Sequence, residues 1–223
     1  MTRLALRLSL VAMCLTGAAA ARAAGGHFDV DDAAVIDPGH CQYEVWASRT
    51  PWARAATLWH LAPGCRVGPV EMALNLDRIS NATGMRSTAG PQLKWVTDIA
   101  APVAAGLVWG AAFDLRRGGR PARTVYAPLT WIARDTFVLN ANLGADWDTT
   151  GARTRRLGAS GEWVAHEKLT VIAERVKFGG DWTSRLGARF TLTDATSVDL
   201  SAARVGPRAA RVYVIGLNHD FER

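Results

Sequence analysis

The sequence predicts an all-β chain: an antiparallel up-and-down β-barrel that crosses a membrane on about twelve strands, within a range of roughly 10–14. Three observations predict it. Apolar residues recur with period two along most of the chain, as in a strand with two unlike faces. The alternating segments run about 8–13 residues, whereas strands of soluble proteins average ~5–6 and a tilted membrane strand needs ~9–11. The connections alternate between short and long, the rhythm of periplasmic turns and outer loops.

The clearest alternation sets Phe137, Leu139, Ala141, Leu143, Ala145 and Trp147 against Val138, Asn140, Asn142, Gly144 and Asp146. Leu107 to Leu115, Trp182 to Leu192 and Tyr213 to Phe221 repeat it. In order, the segments lie near 41–48, 56–62, 67–78, 91–99, 104–116, 123–133, 136–147, 156–166, 168–177, 182–193, 196–204 and 210–221. Short connections fall at 100–103, 134–135, 166–167 and 193–195, and longer ones at 80–89, 117–121, 148–155, 177–181 and 205–209. An even strand count leaves both termini on the periplasmic side. A soluble sandwich or lipocalin-like barrel would bury its apolar face. Here the apolar faces are rich in Trp, while glycines and small polar residues fill the other, which suits an outward lipid band and a tight or wet interior. Trp52, Trp131, Trp147 and Trp182 sit near segment ends, as an interfacial girdle does, and Trp109 and Trp163 read as lipid-facing bulk.

Composition sets the domain plan. The chain has 223 residues, 26 Lys+Arg against 20 Asp+Glu, and 49% hydrophobic residues, which excludes wholesale disorder. No apolar run of ~18 residues occurs beyond the N-terminus, which excludes a multispan helical protein. Arg3 and Arg7, the apolar run from Leu8 to Leu15, and Ala21-Arg22-Ala23 mark residues 1–23 as a secretory signal peptide. Its loss lowers the formal charge from +6 to about +3, so no nucleic-acid partner is implied. Residues 24–40 form an acidic segment with Asp29, Asp31, Asp32 and Asp37, read either as a periplasmic tail or as a plug pairing with Arg185 and Arg189. Residues 41–223 are the barrel. Cys14 leaves with the signal, and a hairpin with its tip near Ala53 puts Cys41 opposite Cys65, 43 opposite 63 and 45 opposite 61, within disulfide reach.

The alternation also assigns an inward face: Glu71, Lys94, Asp98, Asp114, Glu162, His166, Glu174, Arg185, Arg189 and Asp199. Glu162, Glu174, Arg185, Arg189 and Asp199 form a lumen charge cluster, because charges of both signs in a confined space pair. It reads either as a polar pathway with a constriction or as a closed, salt-bridged interior. Arg86, Arg116, Arg117, Arg120, Arg123, Arg153, Arg155, Arg156, Arg204 and Arg208 lie near the outer loops, where guanidinium groups suit the phosphates of lipopolysaccharide. None of the five His has a nucleophile setting or zinc spacing, and no nucleotide loop occurs, so neither an enzyme, a metal nor a cofactor is expected.

The C-terminal run Val212 to Phe221 resembles the closing strand of bacterial outer-membrane proteins, with Tyr213, Ile215, Leu217 and Phe221 as the signal read by the barrel-assembly machinery. Glu222 and Arg223 follow the aromatic, where such proteins usually end. Asp31-Asp32 with Asp37-Pro38-Gly39, Asn140 to Gly144, and Gly216-Leu217-Asn218 resemble small proteobacterial outer-membrane barrels grouped with transporters of the phenol meta-degradation pathway. The likeness runs over about 29–221. It implies a bacterial outer-membrane location and passive passage of a small hydrophobic or aromatic solute. The rival expectation is a non-conducting structural barrel that binds lipopolysaccharide or envelope proteins.

Overall fold

The computed structural model describes residues 26–50, 55–178, 180–207 and 210–223. Residues 1–23, read above as a signal peptide, and Trp52 and Arg208 lie outside these residues. Twelve strands are described: β1 (His40–Thr50), β2 (Ala56–Val67), β3 (Val70–Asn81), β4 (Gly84–Ala100), β5 (Val103–Asp114), β6 (Ala122–Arg134), β7 (Phe137–Trp147), β8 (Arg153–His166), β9 (Leu169–Phe178), β10 (Asp181–Thr193), β11 (Thr196–Val205) and β12 (Ala210–Glu222). Each pairs with its sequence neighbour, and β1 pairs antiparallel with β12 to close the barrel without a free edge.

One end carries both strand termini and five two-residue turns, at 68–69, 101–102, 135–136, 167–168 and 194–195. This is the periplasmic end of such barrels. The other end carries the longer connections, the longest at 115–121. Loop 148–152 is organised by Asp148, whose carboxylate accepts from the Thr150 hydroxyl at 2.6 Å and from the Thr150 and Ala152 amides. The Thr150 bond is the main reason this carboxyl is held below its ordinary range.

The expected long connection at 80–89 is not there. β3 runs to Asn81 and β4 begins at Gly84, with a tight turn between. Asn81 Oδ1 accepts from the Thr83 amide (2.9 Å) and hydroxyl (2.7 Å), and Gly84 takes a left-handed φ of 131°. The ladder continues there although both faces carry polar residues, so the hydropathy alternation that reveals a strand is lost. β2 likewise continues past 62, its pairing with β3 interrupted around Pro63 and resuming at Gly64.

The predicted hairpin register holds: Cys41 faces Cys65, Tyr43 faces Pro63 and Val45 faces Leu61. Cys41 and Cys65 are bonded, with Cα atoms 4.0 Å apart. They tie β1 to β2 where the chain leaves the N-terminal segment.

The exterior is apolar. Trp59, Leu74, Leu107, Leu143, Leu186 and Ile215 are exposed on strands whose alternate residues are covered. A water-soluble protein would not expose such a band, whereas hydrocarbon matches it. Trp131 and Trp163 face outward near the periplasmic end, Trp182 at the outer end, and Trp109 in mid-strand. The assembly-signal residues Tyr213, Ile215 and Phe221 belong to the same outward face, and Leu217 shares their parity. Trp46 departs from the pattern: it points inward and stacks on His60 at 4.7 Å between ring centroids.

Candidate functional site

Every strand presents its polar face to the lumen, and the N-terminal segment 26–39 lies against that face. From Gly39 the chain rises from the periplasmic end and then runs around the inner wall. Its backbone is bonded to wall side chains at each stage. Glu71 of β3 accepts from the Ile36 amide at 3.0 Å, and Thr130 of β6 accepts from Ala33 at 2.7 Å. Asn142 of β7 grips Asp31 twice, accepting from its amide (2.8 Å) and donating to its carbonyl (2.7 Å). Glu174 of β9 accepts from the amides of Asp29 (3.2 Å) and Val30 (3.0 Å). Arg185 of β10 donates to the His27 carbonyl at 2.7 Å, and Ser201 of β11 bonds the His27 ring at 2.6 Å. Glu44 of β1 accepts from the Gly26 amide. Amides withdrawn from water are thereby paired without a further strand.

Ion pairs reinforce these bonds. Lys94 of β4 donates to Asp31 (2.8 Å) and Asp32 (2.9 Å), and Tyr126 of β6 donates to the second Asp31 oxygen at 3.0 Å. Arg185 pairs with Asp29 at 2.7 Å and with Glu174 at 2.9 Å. Removing one member of such a buried pair leaves an uncompensated charge, at about 3–5 kcal/mol.

The apolar side chains of the segment have sockets. Val30, 1% exposed, packs where Gly158 of β8 meets Val176 of β9; a Cβ on Gly158 would lie 2.8 Å from Val30. Phe28 covers Gly187 of β10, where a Cβ would lie 3.0 Å from its ring, and stacks on His27 at 4.4 Å. The wall glycines are thus where the segment fits closest.

The predicted charge cluster is split by the geometry. Glu174 and Arg185 form one pair. Arg189 and Asp199 form a second, bidentate one, both bonds at 2.8 Å. Glu162 accepts from Asn140 at 2.6 Å. Of the other residues assigned inward, Glu71 and Lys94 hold the segment. Asp114 lies at the outer mouth, bonded to Arg86 at 3.0 Å and to the amides of Arg116 and Arg117. Asp98 and His166 are exposed near the periplasmic rim. The outer mouth holds two further pairs, His60 with Asp77 at 2.7 Å and Arg156 with Asp146 at 3.3 Å. Among the described residues, no group of three or more His, Cys, Asp or Glu could hold a metal ion.

Sequence reasoning missed Glu44, Thr130, Tyr126, Asn142 and Ser201 as holders of the segment. Parity alone would have turned Asn142 and Ser201 inward. Glu44 was masked because Trp46, on the same face of β1, makes that face read as apolar.

The fold is shared with solved structures. The KdgM porin superposes with a TM-score of 0.65 at 9% identity, over 81% of this chain and 99% of that one. The COG4313 outer membrane channel from Pseudomonas putida F1 gives 0.60 at 13% identity, over 85% and 98%. The CymD monoaromatic hydrocarbon channel gives 0.53 at 9%, over 84% and 90%. No curated protein matches. The family model described as "Uncharacterised conserved protein UCP029691" matches residues 11–215. The chain belongs to that family. This UCP029691 member is a bacterial outer-membrane β-barrel by its closed twelve-stranded fold and its apolar exterior. The three structures of similar fold are porins or channels by name.

Proposed function

We propose that the protein is a passive outer-membrane channel for a small solute, with residues 26–39 as the plug that controls passage. The observation that carries this is the bonding of one extended segment, through its backbone, to wall side chains of β3, β6, β7, β9, β10 and β1. A barrel that needed only a filled core would do so with its own side chains, as eight-stranded barrels do. Here a separable piece of chain fills the lumen, and its withdrawal leaves a polar bore.

The plug also bears on the solute. Withdrawing Phe28 vacates a ring-sized socket on Gly187 beside Ser201, and withdrawing Asp29 removes one of the two acidic partners of Arg185, two residues along the same strand. An aromatic molecule carrying a polar or acidic group fits those two vacancies together, and CymD supports an aromatic solute by likeness of fold. A purely hydrocarbon solute would have to desolvate the paired charges, which disfavours it.

Conductance of the refolded protein in a planar bilayer, compared with a version lacking 26–39, tests the reading. Silence in the intact protein and discrete steps in the truncation are expected. Silence in both would establish the second reading, a non-conducting structural barrel, which the density of plug anchors also favours. With the truncation, liposome swelling should be faster for a hydroxylated or carboxylated benzene than for a sugar of similar mass.

A further inference from the structure

The outer face of the barrel carries a row of basic residues that the channel reading does not use. Arg175 of β9 faces Ser184 of β10, Ser184 faces Arg204 of β11, and Arg204 faces Arg211 of β12. The four form one lateral line across four adjacent strands, at about 4.8 Å per strand. Their parity is that of Leu186, Leu200 and Ile215, which are 61%, 45% and 56% exposed, so the row looks into the membrane and not into the lumen. It lies within three residues of the outer strand ends, directly above that apolar band.

Three features make the row more than a solvated rim. Arg204 and Arg211 are direct cross-strand partners, an arrangement that is destabilising for like charges unless an anion lies between them. No Asp or Glu shares the outward face of β9, β10, β11 or β12 among the described residues, so the protein supplies no counter-charge there. Arg175 is also held in place: it donates to Ser184 at 3.3 Å, and its guanidinium lies 4.9 Å from the Trp182 ring. Guanidinium groups held in line with a hydroxyl can donate paired hydrogen bonds to the oxygens of a phosphate.

We propose that Arg175, Ser184, Arg204 and Arg211 form a binding site for the phosphate of an outer-leaflet glycolipid of the lipid A class. The site is independent of whether the lumen conducts. It also sorts the arginines that sequence places near the outer loops. Arg86 and Arg156 turn inward to Asp114 and Asp146, Arg204 belongs to the row, and Arg175 and Arg211 join it.

The test is the melting temperature of the refolded full barrel in detergent, followed by loss of its heat-modifiable band. Bisphosphoryl lipid A, its dephosphorylated form and phosphatidylglycerol are titrated in turn. Bisphosphoryl lipid A should raise the wild-type transition, and R204Q/R211Q should need at least tenfold more of it for the same rise. Without lipid the same variant should melt no lower than wild type, because it removes a repulsion; this sign inversion separates a lost site from a folding defect. R78Q, which removes an outward cation from β3, should respond as wild type does. An equal response of R204Q/R211Q and wild type to lipid A would overturn the site. An equal rise with phosphatidylglycerol would overturn its assignment to the glycolipid.

Discussion

Glu174 and Arg175 are one peptide bond apart and meet opposite surroundings. Glu174 is 5% exposed, paired with Arg185 and bonded to two amides of the N-terminal segment. Arg175 looks outward over Trp182 with no acid on its face of the neighbouring strands. The same contrast separates Asn142, which grips Asp31, from Leu143, 65% exposed to the membrane. Period two gives a strand two environments, and polarity does different work in each. Inside, a polar group is useful because another piece of chain satisfies it. Outside, it is tolerated only at the depth where lipid headgroups satisfy it.

The contrast breaks most decisively at neighbouring positions. Leu143→Arg places a charge in the hydrocarbon, at about 2–4 kcal/mol near the midplane, and should abolish the heat-modifiable folded band. Asn142→Arg should keep that band and lose the segment instead, read as protease cleavage within 26–39. Equal failure of both variants would mean that the two faces are not distinct.

Lys94→Ala should leave the barrel folded and act on the segment alone. It leaves Asp31 and Asp32 facing a wall without their cation, an imbalance of about 3–5 kcal/mol that withdrawal of the segment relieves. A thiol at position 33 should become reactive to a water-soluble maleimide in this variant and stay protected in the parent.

Glu174→Gln keeps an acceptor for one amide and removes the charge facing Arg185. The expected loss is about 1–3 kcal/mol of segment binding, seen as intermittent openings in bilayer recordings rather than a steady current. Smallest is Gly158→Ala. Its Cβ would lie 2.8 Å from Val30 and 3.1 Å from Val176, so the segment shifts locally, at roughly 1–3 kcal/mol, and the same maleimide assay should show a modest rate increase. A Gly158→Ala rate above that of Lys94→Ala would rank packing over charge in holding the segment.

Much of the barrel is legible in the sequence because a lipid-facing strand must alternate over its membrane depth. β7 and β10 follow their predicted bounds to within two residues for this reason. The alternation fails where the membrane ends. The outer parts of β3 and β4 are wet on both sides and read as a loop, though their ladder runs unbroken to Gly84. It fails again at β1, where the inward Trp46 stacks on His60 and disguises the face that carries Glu44. The candidate site was half legible. Parity turned Glu71, Lys94, Glu174 and Arg185 inward, but nothing in their spacing told which charge would meet which.

Local patterning alone sets the all-β class, a count near twelve strands, the side faced by residues of the strands that alternate cleanly, and the pairing of Cys41 with Cys65. These follow from local periodicity and antiparallel register, which neighbouring segments fix between them. What fills the lumen follows from the closed fold and not from local patterning. The partners of Asp29, Asp31 and Asp32 lie on β4, β6 and β10, strands far apart in sequence that come within reach of one segment only when the barrel closes. The outward row likewise exists only because the registers of three successive hairpins, β9 to β12, align residues of four strands at one depth. Charge pairing in a confined space depends on distances through space, which a one-dimensional pattern does not contain.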